Sequence, residues 1–184
     1  MRLRCVPDLS DGLIGAVDAQ VGCGLAHMHS VGVAHRDVKP ENVVYENRSR
    51  SVVRLVDFGF AVVLRDGRRC KTVCGSPAYM APEIVNNKPY AGPPVDVWAL
   101  GGLLYELMHN KVAFRGDSMA QLHTRIRKGA HNPFAPSVSG RAKAAIKRAL
   151  VVDAVERPSA HAVTRSLADG YRLRDKLPAF TCDD

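Results

Sequence analysis

No stretch of this sequence is long and apolar enough to cross a bilayer. The longest apolar run, Val97 to Tyr105, falls well short of the ~20 residues a spanning helix needs. Aromatic residues make up only 6% of the chain and do not interleave with the basic clusters at Arg65–Lys71 and Arg125–Lys128. Neither a membrane nor a nucleic-acid partner is therefore expected. The cysteines (Cys5, Cys23, Cys70, Cys74 and Cys182) are odd in number, and no C-x-x-C pair occurs. No His or Cys cluster completes a metal site around Cys70 and Cys74, so reduced structural thiols are expected. The basic start, Met1-Arg2-Leu3-Arg4-Cys5, has no apolar stretch behind it. A secretory signal is not expected, and a cytoplasmic or nuclear location is the default.

What remains is an ordinary globular composition: 184 residues, 46% apolar and 24% charged, with a net charge of +8. That length supports one domain with a real core. The basic balance reads as a solvated surface biased toward anions. Ile14, Val17, Val21, Leu25 and Met28 recur every three or four residues and predict a helix from near Ser10 to Ser30. Short β-like runs follow at 31–34, 43–45 and 51–56. The segment from Lys71 to Pro94 is rich in Gly, Pro and Ser and reads as a long loop, a form that is usually functional in a compact domain. Val95 to His109 is apolar nearly all round and predicts a buried central helix. Three further helices are expected to start at Asp117, Ser139 and Ser159, each a suitable N-cap, and the tail after Leu177 (178–184) to stand apart from the domain.

Chemistry concentrates in three places. The first is His35-Arg36-Asp37-Val38-Lys39-Pro40-Glu41-Asn42. Asp57-Phe58-Gly59 starts 15 residues after Asn42, and Ala81-Pro82-Glu83 starts 24 residues after Asp57. Taken singly, Asp37 and Asn42 read as turn residues and Lys39 as a surface charge. In this order and spacing they resemble the catalytic loop (35–42), the metal-binding loop (57–59) and the end of the activation segment (57–83) of protein kinases. The resemblance runs from about Leu9 to Leu167. It implies an α+β fold, the kinase C-terminal lobe, mainly helical with short β-hairpins, filling residues 1–177.

The resemblance also implies a serine/threonine kinase using ATP and Mg²⁺ on protein substrates. Phosphoryl transfer needs positioning and charge neutralisation more than covalent help. Asp37 would orient the attacking hydroxyl and Lys39 would offset charge on the moving phosphoryl group. Asn42 and Asp57 would give oxygens to Mg²⁺. Glu41 and Val44 belong to the expected nucleotide site, with Val44 as the floor under adenine. Thr72 sits at the activating phosphorylation position, a target for an upstream kinase, with Arg36 as receiver. Family members usually add a basic residue where Val62 stands, and Arg65 is the candidate substitute. Ser76 would hold the loop near Asp37. Asp96 would take donors from the catalytic loop or serve as an N-cap, and Glu83 and Arg157 would form a buried ion pair.

Glu41 and Glu106 match positions that receive substrate arginines, and Arg69 lies three residues before Thr72, so basophilic specificity is expected. The stretch Tyr90 to Trp98 looks closest to the calmodulin-dependent and energy-sensing kinases. No Gly-rich phosphate loop or Val-Ala-x-Lys strand precedes Asp37. The N-terminal lobe is thus absent from these residues, and either that lobe or a partner is expected to cover the face it leaves. The chain as written is expected to be inactive alone. The rival reading is a non-catalytic, kinase-like binding module.

Overall fold

A computed structural model describes residues 3, 11–46, 49, 51–64 and 67–171. The first helix, α1, spans Asp11–Ser30 as its stripe predicts, and Ile14, Val17, Val21 and Leu25 are buried. Two small antiparallel sheets follow. In one, β1 (Val33–Ala34) pairs with β4 (Val62–Val63). In the other, β2 (Val43–Tyr45) pairs with β3 (Val53–Leu55). The strand at β4 has no sequence signal, because two residues carry no periodicity. The expected runs at 31–34 and 51–56 shorten to the residues that find a partner strand.

The segment from Lys71 to Pro94 is less bare than expected. A 3₁₀ turn at Pro77–Tyr79 and a one-turn helix, α2 (Pro82–Val85), interrupt it, each opening on a proline. The central helix α3 runs Gly92–His109 and so begins before the expected Val95. Pro93 and Pro94 fall in its first turn, where backbone N–H groups have no helical partner and proline is tolerated. Leu100, Leu103 and Leu104 are fully buried, and Trp98 stacks on Phe114 at 5.3 Å between ring centroids.

Helix α4 (Met119–Arg127) is capped by Ser118, not Asp117. The Ser118 hydroxyl accepts from Gln121 N at 3.2 Å. Ser139 caps α5 (Gly140–Ala149) as expected, and the Ser159 hydroxyl accepts from Ala162 N at the start of α6 (Ala160–Tyr171). Helix α6 packs along α1, so close at Gly22 that a Cβ there would lie 1.9 Å from Thr164 Oγ1. The tail, Cys5, Cys182 and Arg65 lie outside the described residues. Among the described residues no helix is long and apolar enough to cross a membrane.

Candidate active site

The site is built on the loop between β1 and β2. Asp96, five residues into α3 and fully buried, anchors it. Its carboxylate accepts from His35 N at 2.8 Å, Arg36 N at 2.7 Å and His29 Nε2 at 2.8 Å. Asp96 therefore is not an N-cap: it takes donors from the loop, the other role expected of it. These bonds hold Arg36 at φ 67, a left-handed conformation that a non-glycine residue adopts only when its surroundings enforce it. The His35 ring accepts from Asp37 N at Nδ1 and donates from Nε2 to Val56 O, both at 3.3 Å. One nitrogen donates and the other accepts, so the ring is neutral. Its pKa agrees in direction: burial lowers it, against the raising fields of Asp96, Asp37 and Asp57 and the bond to Val56 O.

Asp37 is the centre of the cluster. Its Oδ1 accepts from Ser76 N at 3.0 Å and Ser76 Oγ at 2.9 Å. Its Oδ2 accepts from Lys39 Nζ at 2.6 Å and Asn42 Nδ2 at 3.0 Å. Lys39 Nζ also donates to Ser76 Oγ at 2.7 Å. Burial pushes the Asp37 carboxyl up, but donation from Lys39 and Ser76 outweighs it and the net direction is down. The carboxylate is thus charged and aimed. Gly75 lets the chain at Ser76 come this close: its φ is 98, and a Cβ there would sit 2.7 Å from Arg36 O.

Asn42 Nδ2 also donates to Asp37 O at 2.8 Å. With its NH₂ committed to Asp37, the amide presents Oδ1 as its acceptor end. Val56 N donates to Asn42 O at 2.8 Å, which brings the residue before Asp57 alongside Asn42. Asp57 is itself left-handed, at φ 66, and its Oδ1 accepts from Gly59 N at 3.2 Å. Asn42 and Asp57 carry hard oxygens that could hold Mg²⁺ once phosphate oxygens complete its shell, and Asp37 and Asp57 both lie near enough to the His35 ring to act on it. Among the described residues no group of three or more His, Cys, Asp or Glu is placed to hold a metal ion.

The remaining expected residues are placed as follows. Val44 pairs with Arg54 and is half-buried, on the opposite face of β2 from the buried Val43 and Tyr45. Glu41 is half-buried in the 3₁₀ turn Pro40–Asn42. Glu106 is buried, and its carboxylate accepts from the Tyr79 hydroxyl. Glu83 and Arg157 form a two-pronged pair at 2.7 and 2.8 Å. Arg157 also donates to Val151 O, Val152 O and Pro94 O, which ties Glu83 in α2 to α3 and to the loop before α6. Thr72 is exposed.

Three features escape sequence reasoning. Arg36 donates to Phe60 O at 2.7 Å and to the Tyr90 hydroxyl at 3.1 Å, which brings distant positions together with no local signal. His29 reaches Asp96 from the last turn of α1. Asp18 is fully buried, with no hydrogen-bond partner among the described residues for either carboxyl oxygen. Its spacing did carry a signal, four residues after Ile14 and three before Val21.

Comparison with known proteins gives the family. The protein kinase domain family matches residues 6–167. A serine/threonine-protein kinase H1 homolog of Danio rerio is 42% identical over 144 residues, 74% of this chain and 34% of the relative. The serine/threonine protein kinase OSK3 of Oryza sativa subsp. indica is 41% identical over 161 residues, 88% of this chain and 30% of the relative. Protein kinase kin1 of Schizosaccharomyces pombe is 38% identical over 138 residues, 75% of this chain and 15% of the relative. The chain thus spans no more than about a third of the length of these relatives. With the Asp37 cluster and the Glu83–Arg157 pair set in these matched residues, the chain belongs to the protein kinase domain family, among the eukaryotic serine/threonine kinases.

Proposed function

We propose that these residues form the C-terminal lobe of a kinase that transfers the γ-phosphate of ATP to Ser or Thr of protein substrates. The observation that carries this reading is the Asp37 cluster: a charged, oriented carboxylate with a lysine and a serine hydroxyl converging on it and an asparagine amide turned beside it. Asp37 orients the acceptor hydroxyl and takes its proton at a carboxylate oxygen. All of the contacts described above already load both oxygens, so the acceptor displaces the Ser76 hydroxyl from Oδ1. Lys39 offsets charge on the transferred group. Asn42 Oδ1 and Asp57 would hold Mg²⁺, which when bound neutralises the phosphate oxygens.

A further lobe is needed to close the nucleotide site, because the 184 residues hold no Gly-rich loop. Phe58 and Phe60 are 54% and 45% exposed, and a cavity of about 430 Å³ opens between α1, β3 and Phe58. We assign this face to that lobe, supplied by a longer chain or by a partner. The basophilic preference rests on Arg69 upstream of Thr72 and on Glu41. Glu106 would have to exchange Tyr79 for a substrate arginine. A peptide array showing no gain from upstream arginine removes the preference and leaves the activity.

The test is a fusion of this chain to the N-terminal region of the OSK3 relative, assayed for phosphate transfer from ATP to Ser/Thr peptides. The expected result is transfer that Asp37→Ala abolishes. Nucleotide binding without any transfer would favour a non-catalytic binding module, and transfer that survives Asp37→Ala would overturn the assignment of Asp37.

A further inference from the structure

The Thr72 side chain is exposed, yet the chain around it is held. Cys70 and Tyr90 exchange both backbone hydrogen bonds, at 2.8 and 2.9 Å, and Cys70 and Cys74 are both buried. Between them stands the Tyr90 side chain, itself buried. Its hydroxyl donates to Thr72 O at 2.8 Å, accepts from Arg36 Nη1 at 3.1 Å and meets Cys74 Sγ at 3.9 Å. A phenol has one donor and two acceptor positions, so this hydroxyl is fully used. Burial raises its pKa to about 12 against the lowering effect of Arg36, and it keeps its proton. Arg36 spends Nε on Phe60 O.

The Arg36 guanidinium, expected as the receiver of a phosphate on Thr72, is therefore engaged here by a neutral side chain, with the segment already laid over Asp37 through Ser76. We infer that the Tyr90 hydroxyl is a positioning group that ties the Thr72 carbonyl to Arg36 and holds the activation segment in place without a phosphate on Thr72. The inference rests on reading residues 57–83 as an activation segment. It assigns the anchoring to an O–H at position 90 and to a backbone carbonyl, not to the Thr72 hydroxyl.

Cys74 is the natural reporter, because its sulfur lies against the hydroxyl and is reached only when the segment lifts. The experiment is the rate of iodoacetamide alkylation of Cys74 in the folded full chain, separated from Cys70 by peptide mass mapping, without nucleotide or metal. Tyr90→Phe keeps the ring and the backbone bridge to Cys70 and removes only the oxygen. Alkylation of Cys74 is expected to accelerate about tenfold, the scale of one lost hydrogen bond, in Tyr90→Phe and in Arg36→Lys. Cys70 should keep its rate, and Thr72→Ala, which retains the carbonyl, should label like the wild type. An unchanged Cys74 rate in Tyr90→Phe overturns the inference. Equal acceleration at Cys70 and Cys74 overturns it too, since that marks general loosening. Neither result touches nucleotide binding at Asn42 and Asp57, and a failure to bind nucleotide leaves the labelling pattern standing.

Discussion

Asp18 gives the sharpest stability test. Its carboxyl is fully buried in α1 without a hydrogen-bond partner among the described residues, and burial moves its pKa from 3.8 to about 8. The unfolded chain releases this proton near 3.8 while the folded chain keeps it to about 8, so between those values the folded state binds one proton more. Stability from this group is fully present below 3.8 and is lost as pH rises through about 8. The slope is about 1.4 kcal/mol per pH unit. Asp18→Asn keeps the shape and cannot ionise. Its stability advantage over the wild type should therefore grow by about 4 kcal/mol between pH 5 and pH 8, a large share of the 5–15 kcal/mol typical of a domain. The assay is urea unfolding followed by fluorescence of Trp98, the single and fully buried tryptophan. Every other titrating group is common to both proteins and cancels in the difference. Parallel stability–pH curves for wild type and Asp18→Asn would refute the reasoning.

Other perturbations have equally definite outcomes. Arg157→Ala leaves Glu83 without its two-pronged partner and should lower stability by about 3–5 kcal/mol in the same urea assay; a loss under 1 kcal/mol would show that solvent already screens the pair. Gly92→Ala places a Cβ 2.2 Å from Ala34 Cβ, just before the catalytic loop, and should destabilise by about 1–3 kcal/mol despite alanine's better helix propensity. A stabilised variant would mean that α3 shifts freely. Ser76→Ala removes a donor that holds the Asp37 pKa down, so that pKa should rise, read by carboxyl NMR titration of Asp37. Asp37 stabilises the fold above its unfolded value of 3.8 and loses that contribution as pH falls through its depressed folded value. The Ser76→Ala protein should therefore lose this contribution at a higher pH than the wild type, and an unmoved Asp37 titration would contradict the contact.

The loop 35–42 was legible because its residues and their spacing to 57–59 and 81–83 resemble the protein kinase pattern, and Asp37, Lys39 and Asn42 do meet in the fold. Helix α1 and the core of α3 were legible because periodicity survives tertiary packing. What was not legible depended on partners far along the chain. Strand β4 exists only because Val33 and Ala34 lie opposite it, and Ser118 caps α4 in place of Asp117 because only its hydroxyl meets the first-turn amide. Tyr90 read as part of a subgroup pattern, and its role emerges once positions 36, 72 and 74 meet around its hydroxyl. Asp18 sat in plain view within the apolar stripe. A polar residue at that spacing was a signal that counting only apolar positions passes over.

In the proposed function the carboxylates of Asp37 and Asp57 and the amide of Asn42 face one metal–triphosphate site. The most direct test is NMR of the chain titrated with substoichiometric Mn²⁺ and ATP, watching the Asn42 side-chain NH₂ and the Gly59 amide. The account predicts that both signals broaden together, that the effect needs ATP, and that Asp57→Asn abolishes it while Asp18→Asn leaves it intact. Broadening of only one of the two signals, or the same broadening in Asp57→Asn, would contradict it.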